Sequence, residues 1–323
     1  MQEEVIRSVL DGRDTLALLP TGGGKSLCYQ LPALALGGLT IVVSPLIALM
    51  RDQVDQARRR GIPAMAGMSG MAGYESDNAL EEAALGRLPL LYVSPERLGT
   101  DAFRGRLPRM PVKLIAVDEA HCIAQWGYDF RPAYMRIPEL RAVFPDVPVV
   151  ALTATATPAV VDDIQHRLAF RAPNVLRSAF HRPELTFWCS RGEDKLARLQ
   201  RIVQHVPGSG IVYMRDRRGT VELAGVLQRM GVSAEAYHAG LPHTERERVQ
   251  RDWQDGRLRY VAATNAFGMG IDKGDVRAVV HLAPPPDLES YYQEAGRAGR
   301  DGRPSYAFLL VDDADAQRLR ERV

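Results

Sequence analysis

LLPTGGGKS, residues Leu18–Ser26, decides how the rest of this chain is read. The apolar run Thr15–Leu19 that enters it shows no alternation of polar and apolar residues, which is how a strand buried on both faces reads. It then breaks into three consecutive glycines. Gly22, Gly23 and Gly24 keep side chains out of the turn, so backbone N–H groups from Thr21 to Lys25 can converge on phosphate oxygens. Lys25 is placed to neutralise the β- and γ-phosphates of a nucleotide, and Ser26 to offer its hydroxyl to Mg²⁺. The competing reading is a glycine-rich turn that merely opens a helix. A strand, a phosphate loop and a helix in that order predict a parallel α/β domain.

Outward from this loop the same alternation recurs. Apolar runs at Thr40–Val43, Leu90–Val93, Val112–Val117 and Val149–Thr153 are separated by helix-like stretches such as Ala48–Arg59 and Asp77–Leu85. The pattern pauses around Phe180–Arg191 and restarts at Gly210–Met214, Ser233–Tyr237, Tyr260–Ala263, Ala278–Leu282 and Ala307–Val311. Two parallel α/β layers in tandem are therefore expected: a first domain over 1–182, a linker over 183–192 and a second domain over 193–323.

With 323 residues, 46% hydrophobic and 25% charged, the chain has room for two cored domains of soluble type. No apolar run approaches the roughly 20 residues that span a bilayer, and no leader pattern is present. Cys28, Cys122 and Cys189 are isolated, so no zinc cluster or disulfide framework is expected, and a reducing, cytoplasmic setting fits. A net charge of +2 is near neutral, so nucleic-acid binding must rest on local patches rather than a global field.

A second signature, AVDEAH at Ala116–His121, closes one of the predicted strands. A strand end can hold Asp118 beside Mg²⁺ while Glu119 orients or deprotonates an attacking water. A third, YYQEAGRAGR at Tyr291–Arg300, carries two arginines of the kind that complete a nucleotide site from a separate domain. Directly after the acidic pair, HCIAQWGYDFRPAY interleaves Trp126, Tyr128, Phe130 and Tyr134 with Arg131. Aromatic faces stack bases at about 1–3 kcal/mol each, and Arg adds cation–π and phosphate contacts. Core aromatics filling space are the alternative, chiefly for Phe130 and Tyr134. Strand-end loops with small hydroxyls suit backbone phosphates: Ser44-Pro45-Leu46, Ser94-Pro95-Glu96-Arg97, Tyr237-His238 and Thr264-Asn265. Some of these residues can equally be helix caps, and His121 and His238 polar core histidines.

The strings TGGGKSLCYQLPAL, SPLIALMRDQV, DEAH, SPERL, ALTATAT, AYHAGL, NAFGMGIDK and YYQEAGRAGRDG resemble the ATPase core of the RecQ family of DNA helicases over Gln2 to about Asp313. Leu19 stands where the strict phosphate-loop pattern has glycine, a relaxation that nucleic-acid motors share. The resemblance implies two RecA-like parallel-sheet lobes of the superfamily-two helicase type, ATP and Mg²⁺ as cofactors, and 3′→5′ movement on single-stranded or tailed duplex DNA by a monomer. It implies that Lys25, Asp118, Glu119, Gln293, Arg297 and Arg300 carry catalysis. Arg297 and Arg300, three apart, would project from one face of a helix. It further implies that Gln2 reads the adenine edge with its donor and acceptor faces. Thr153 and Thr155 would couple hydrolysis to lobe movement, and Gly270 and Asp272 would face the γ-phosphate side. The aromatic-rich loop around Trp126 would report DNA to Glu119. Family members often have His where this chain has Tyr128.

Two other readings remain open: an RNA-directed helicase of the same superfamily, and a nucleotide-gated DNA-binding scaffold that does not hydrolyse. No residue visibly tests for a 2′-hydroxyl. The sequence carries neither the aromatic and Arg that sandwich the base ahead of Gln2 nor the zinc module and winged helix that often follow the second lobe. Single-strand binding and ATP hydrolysis are therefore expected alongside poor opening of long duplexes.

Overall fold

A computed structural model describes the chain apart from residues 21, 46, 68–72, 125–130, 155, 180, 193, 268–272 and 321–323. The chain divides into two units, Met1–Phe180 and His181–Val323. In the first, strands β1 (Thr15–Leu18), β2 (Leu39–Val43), β3 (Ala64–Gly67), β4 (Leu90–Val93), β5 (Val112–Val117), β6 (Val149–Thr153) and β7 (Val175–Arg177) form one sheet. Its order is β3-β4-β2-β5-β6-β1-β7, and every pairing is parallel. In the second, β8 (Leu185–Arg191), β9 (Ser209–Tyr213), β10 (Ala234–Tyr237), β11 (Tyr260–Ala263), β12 (Val276–His281) and β13 (Ser305–Val311) form another, in the order β10-β11-β9-β12-β13-β8. These pairings are parallel too.

Both sheets are covered on both faces, which is why their strands read as continuous apolar runs. Neighbouring residues of β2 illustrate this: Val43 packs with Val93 and Val117 on one face, while Val42 packs with Tyr92 and Ala116 on the other. In the second sheet Val261 and Ala262 divide in the same way. Parallel strands all present their carboxyl ends to one edge, and the crevice beyond that edge is where such sheets bind ligands. Most first-lobe site residues inferred from the sequence lie there, among them Gly22–Ser26 after β1, Ser44 after β2, Ser94 after β4 and Asp118 after β5, with Thr153 closing β6.

The expected linker over 183–192 is corrected. Leu185–Arg191 is β8, paired in register with the whole of β13 from Ser305↔Leu185 to Val311↔Arg191. It is an edge strand with Phe187, Trp188 and Cys189 exposed, and a single covering neighbour leaves no apolar periodicity to read. Strands β3 and β7 were also not anticipated. The first is four small or flexible residues, AMAG, and the second only three residues long.

At the amino end of β1 a buried carboxylate holds the first lobe together. Asp14 is 3% exposed and accepts from Arg141 Nη2 at 2.7 Å, Arg171 Nε at 2.9 Å and the Val149 backbone N–H at 2.9 Å. Burial pushes its carboxyl upward, but hydrogen bonds from Arg171 and Val149 with the Arg141 charge outweigh that and hold it below its usual value. Asp14→Ala should cost about 3–5 kcal/mol, because it strands a buried guanidinium. The sign follows from linkage: a depressed carboxylate stabilises above its unfolded value and loses that contribution as pH falls through its folded value. In urea denaturation, the gap between wild type and Asp14→Asn should therefore close below about pH 4. A gap independent of pH would show that the Asp14 charge is not what stabilises the lobe.

Candidate nucleotide and nucleic-acid site

After β1 the chain turns through Gly22 (φ 80°) and Gly24 (φ 69°), conformations that residues with a β-carbon rarely adopt. At Gly23 the obstacle is different, since a β-carbon would lie 2.8 Å from the Pro20 carbonyl oxygen. Only glycine closes this loop at all three positions. The helix Leu27–Ala35 follows, with the Leu27 N–H returning to Gly24 O at 3.0 Å. Gln2 lies on the loop: its Nε2 donates to Gly23 O at 2.8 Å, and a β-carbon on Gly24 would collide with its amide. The amino-terminal helix Gln2–Leu10 is thereby tied to the phosphate loop through its first residue.

Lys25 crosses from this loop to the end of β5, where its Nζ meets Glu119 Oε1 at 3.2 Å. Glu119 has φ 45° and ψ 50°, a left-handed turn unusual for a residue with a side chain. The turn splits the acidic pair. Asp118 is 8% exposed; its Oδ1 accepts from the Glu119 N–H at 3.0 Å and its Oδ2 from Ser44 Oγ at 3.4 Å. Its carbonyl accepts from the Tyr134 hydroxyl at 2.8 Å, so Tyr134 is a buried buttress of the pair and not a base-stacking face. Glu119 instead faces a histidine, with Oε2 3.4 Å from His121 Nδ1, and that same nitrogen lies 2.8 Å from Thr153 Oγ1. Lys25, Glu119, His121 and Thr153 thus form a line of polar contacts at the ends of β1, β5 and β6, in which the 3.4 Å approach of Glu119 to His121 is an ion pair when the imidazole is protonated.

Burial, then the like charge of Glu119, push the Asp118 carboxyl up to about 6, against the pull of Lys25 and two hydrogen bonds. A buried carboxylate so short of positive charge fits a divalent cation, and the Ser26 hydroxyl and Asp118 carboxylate are the hard oxygen donors that Mg²⁺ takes. Bound there, Mg²⁺ would supply charge neutralisation for a nucleotide's phosphates.

The remaining first-lobe candidates separate by burial. Ser44 and Ser94 are each 2% exposed, Ser44 turned toward Asp118, so neither hydroxyl is presented at the surface. Arg97 reaches back to Ser76 Oγ, while Pro45 O accepts from Arg131 Nη1 at 3.2 Å. Arg131 thus pins the loop after β2 to the segment following the acidic pair. Thr21, Trp126, Phe130, Thr155, Gly270 and Asp272 lie outside the described residues, as do Leu46 and Tyr128.

In the second lobe His238 (9% exposed) and Thr264 (8%) are buried at the ends of β10 and β11, and Asn265 is exposed beside them. The arginine motif needs a correction. The helix Leu288–Ala295, capped by Asp287 Oδ1 at 2.6 Å from the Ser290 N–H, carries Gln293 but ends before Arg297. Arg297 and Arg300 sit on successive turns, closed by Ala298 N–H to Ala295 O at 3.1 Å and Gly302 N–H to Gly299 O at 3.0 Å. A spacing of three fits such turns as well as it fits a helix, and Gly299, at φ 67°, ends any helical continuation.

Three neighbours of these arginines escaped the sequence reading. Glu294, 6% exposed, accepts from Arg215 Nη2 at 3.0 Å and lies 2.8 Å from His281 Nε2. Burial pushes Glu294 upward, but the His281 bond and the Arg215 charge outweigh it and keep Glu294 an anion; burial pushes His281 down toward its neutral form. His281 also stacks on Tyr213 with ring centroids 5.2 Å apart. The available hint was polar residues ending apolar runs: His281 closes β12, and Arg215 follows Met214 after β9.

Two parallel sheets, one with a phosphate loop facing an acidic pair and one with an arginine-bearing turn, define a tandem α/β helicase core. Residues 1–164 match the DEAD/DEAH box helicase family, and residues 194–302 match the helicase conserved C-terminal domain. The chain is 47% identical over 315 residues to ATP-dependent DNA helicase RecQ of Pasteurella multocida (strain Pm70), an alignment covering 97% of this chain and 50% of that relative. It is 42% identical over 322 residues to the same-named protein of Synechocystis sp., covering 97% of this chain and 67% of that one. Among solved structures, helicase MrfA bound to DNA superposes with TM-score 0.81 at 18% identity, covering 99% of this chain and 50% of that one. Mycobacterium smegmatis helicase Lhr bound to ssDNA and AMP-PNP gives 0.74 at 25%, covering 99% and 48%. The chain belongs to the RecQ family of ATP-dependent DNA helicases. It spans about half the length of the first curated relatives it matches.

Proposed function

We propose that this chain is the motor core of an ATP-dependent DNA helicase that hydrolyses ATP, moves 3′→5′ on single-stranded DNA and serves DNA repair and recombination. The observation that carries this reading is the polar line Lys25–Glu119–His121–Thr153. ATP entering the loop takes Lys25 onto its β- and γ-phosphates, and the loop N–H groups hold the remaining oxygens. Glu119, released from that ion pair, orients the attacking water and accepts its proton. His121 ties Glu119 to Thr153 at the end of β6, so a shift of the β6 loop on DNA binding is felt at the base. The segment 125–130, which begins four residues beyond His121, is the second route by which bound DNA acts on Glu119. Gln2 exchanges its bond to Gly23 O for the adenine edge, and Gly270 and Asp272 approach the γ-phosphate side. Arg297 and Arg300 bring positive charge to the transferring phosphoryl group. The motor acts as a cytoplasmic monomer, and Arg97, Arg131 and the exposed Asn265 hold the DNA strand, with the buried His238 and Thr264 supporting the loops beside it.

Steady-state ATP hydrolysis with and without single strands, and unwinding of a short duplex with either tail, test this together. Turnover should rise with single-stranded DNA, and only the 3′-tailed duplex should open. DNA affinity should fall with salt at a slope of about −0.7 per phosphate contacted. Equal stimulation by RNA would favour an RNA-directed motor, and DNA binding without turnover would leave only a nucleotide-gated scaffold.

A further inference from the structure

The second residue of the second unit is an arginine with an unusual set of partners. Arg182, its side chain only 9% exposed, donates from Nη1 to Gly296 O and from Nη2 to both Ala298 O and Gly299 O, each at 2.8 Å. Its Nε is held by Glu184 Oε1 at 2.6 Å. All three guanidinium nitrogens are therefore committed, three of the four bonds going to backbone carbonyls of one short stretch. That stretch, Gly296–Gly299, contains Arg297 and leads into Arg300.

Carbonyls at the end of a helix lack partners along the helix and need another donor. Here the turns after Ala295 point three of them at one side chain, and the planar, forked guanidinium spreads its donors over all three and Glu184 at once, where an ammonium has three donors on a single atom. Nothing in this arrangement binds a ligand, so its consequence is geometric: it fixes where the backbone of Arg297 sits. Arg215 and His281 hold Glu294, two residues ahead of that stretch. Because Arg182 follows the division between the units by one residue, the connecting chain is fastened directly to the arginine-bearing turn.

We propose that Arg182 is a positioning residue for catalysis, holding the turn so that Arg297 reaches the γ-phosphate. The proposal rests on the reading of Arg297 as a catalytic arginine. Arg182→Lys keeps the charge and the attraction to the carbonyls but cannot span three of them. It should lower kcat by on the order of 10²-fold, the scale of a displacement of about 1 Å in a catalytic group. Binding of a non-hydrolysable ATP analogue should stay within about twofold, because the binding loop in the first lobe is untouched. Adding Arg182→Lys to Arg297→Ala should cost less than Arg182→Lys costs alone, since only Arg300 is then left for the turn to position. Urea unfolding of Arg182→Lys controls for stability.

Each outcome decides the matter. If Arg297→Ala slows turnover and Arg182→Lys does not, or if the two losses multiply, the positioning role is wrong while Arg297 keeps its own. If Arg297→Ala leaves turnover intact, the reading of Arg297 falls and this proposal with it. If Arg182→Lys unfolds the second lobe in buffer, Arg182 is a structural cap only.

Discussion

Glu119→Gln is expected to bind ATP with Mg²⁺ and to lose its turnover by on the order of 10²–10⁴-fold, the contribution of a positioned general base. The substitution changes little else. Glutamine has the same shape, and its amide can still lie beside Lys25 and His121, whose atoms are 3.2 and 3.4 Å from the carboxylate oxygens. The left-handed turn at φ 45° is a property of the backbone and is shared by both residues. Electrostatics favour cation binding in the variant. Glu119's charge is the second cause pushing the Asp118 carboxyl up to about 6, after burial, so its removal lets Asp118 ionise more readily and offers Mg²⁺ a better ligand. Binding and hydrolysis should therefore separate cleanly. Lys25→Ala provides the contrast, because it removes the cation facing the phosphates and should abolish hydrolysis for a different reason. Single-turnover hydrolysis alongside analogue binding distinguishes the two, and Glu119→Gln turning over within about tenfold of wild type would remove Glu119 from the role of base.

Residues whose meaning lies in local spacing were readable from the sequence. The three glycines before Lys25 and Ser26 mark a tight turn between a strand and a helix, and the acidic pair ending an apolar run marks the end of β5. The strands of the two sheet interiors were legible for the same reason, since burial on both faces leaves uninterrupted apolar runs. What escaped depends on contacts between distant segments. His121 meets Thr153 across 32 residues and Arg182 meets Gly296 across 114, and neither pair leaves a pattern within any short window. Strand β8 does not read as a strand because an edge strand with exposed Phe187 and Trp188 obeys different burial from the strands inside. Ser44 carries a contact that its place after a strand does not reveal, since the fold turns its hydroxyl onto Asp118. Its neighbour Pro45 touches Arg131 through a carbonyl, which no residue type reveals.

Arg297→Ala should leave ATP affinity nearly unchanged and cut turnover on the order of 10³-fold or more, the effect of losing an arginine finger. The surrounding structure makes this a local change. Arg297 lies beside Tyr213, whose hydroxyl is pushed up to about 12, chiefly by burial, while the arginine's charge pulls the other way. Arg297 also hydrogen-bonds that hydroxyl, which itself donates to Phe267 O at 2.8 Å. The turn itself is held by backbone bonds and by Arg182, none of which involves the Arg297 side chain. In urea unfolding the second lobe should lose only about 1 kcal/mol, the worth of the one hydrogen bond to Tyr213. Arg297→Lys sharpens the test, because it restores the charge without the fork that grips two oxygens, and should recover only part of the rate. Arg300→Ala should behave like Arg297→Ala. A collapse of ATP affinity with the rate per bound ATP preserved would make both arginines binding contacts, and the second lobe would then hold the nucleotide without completing its chemistry.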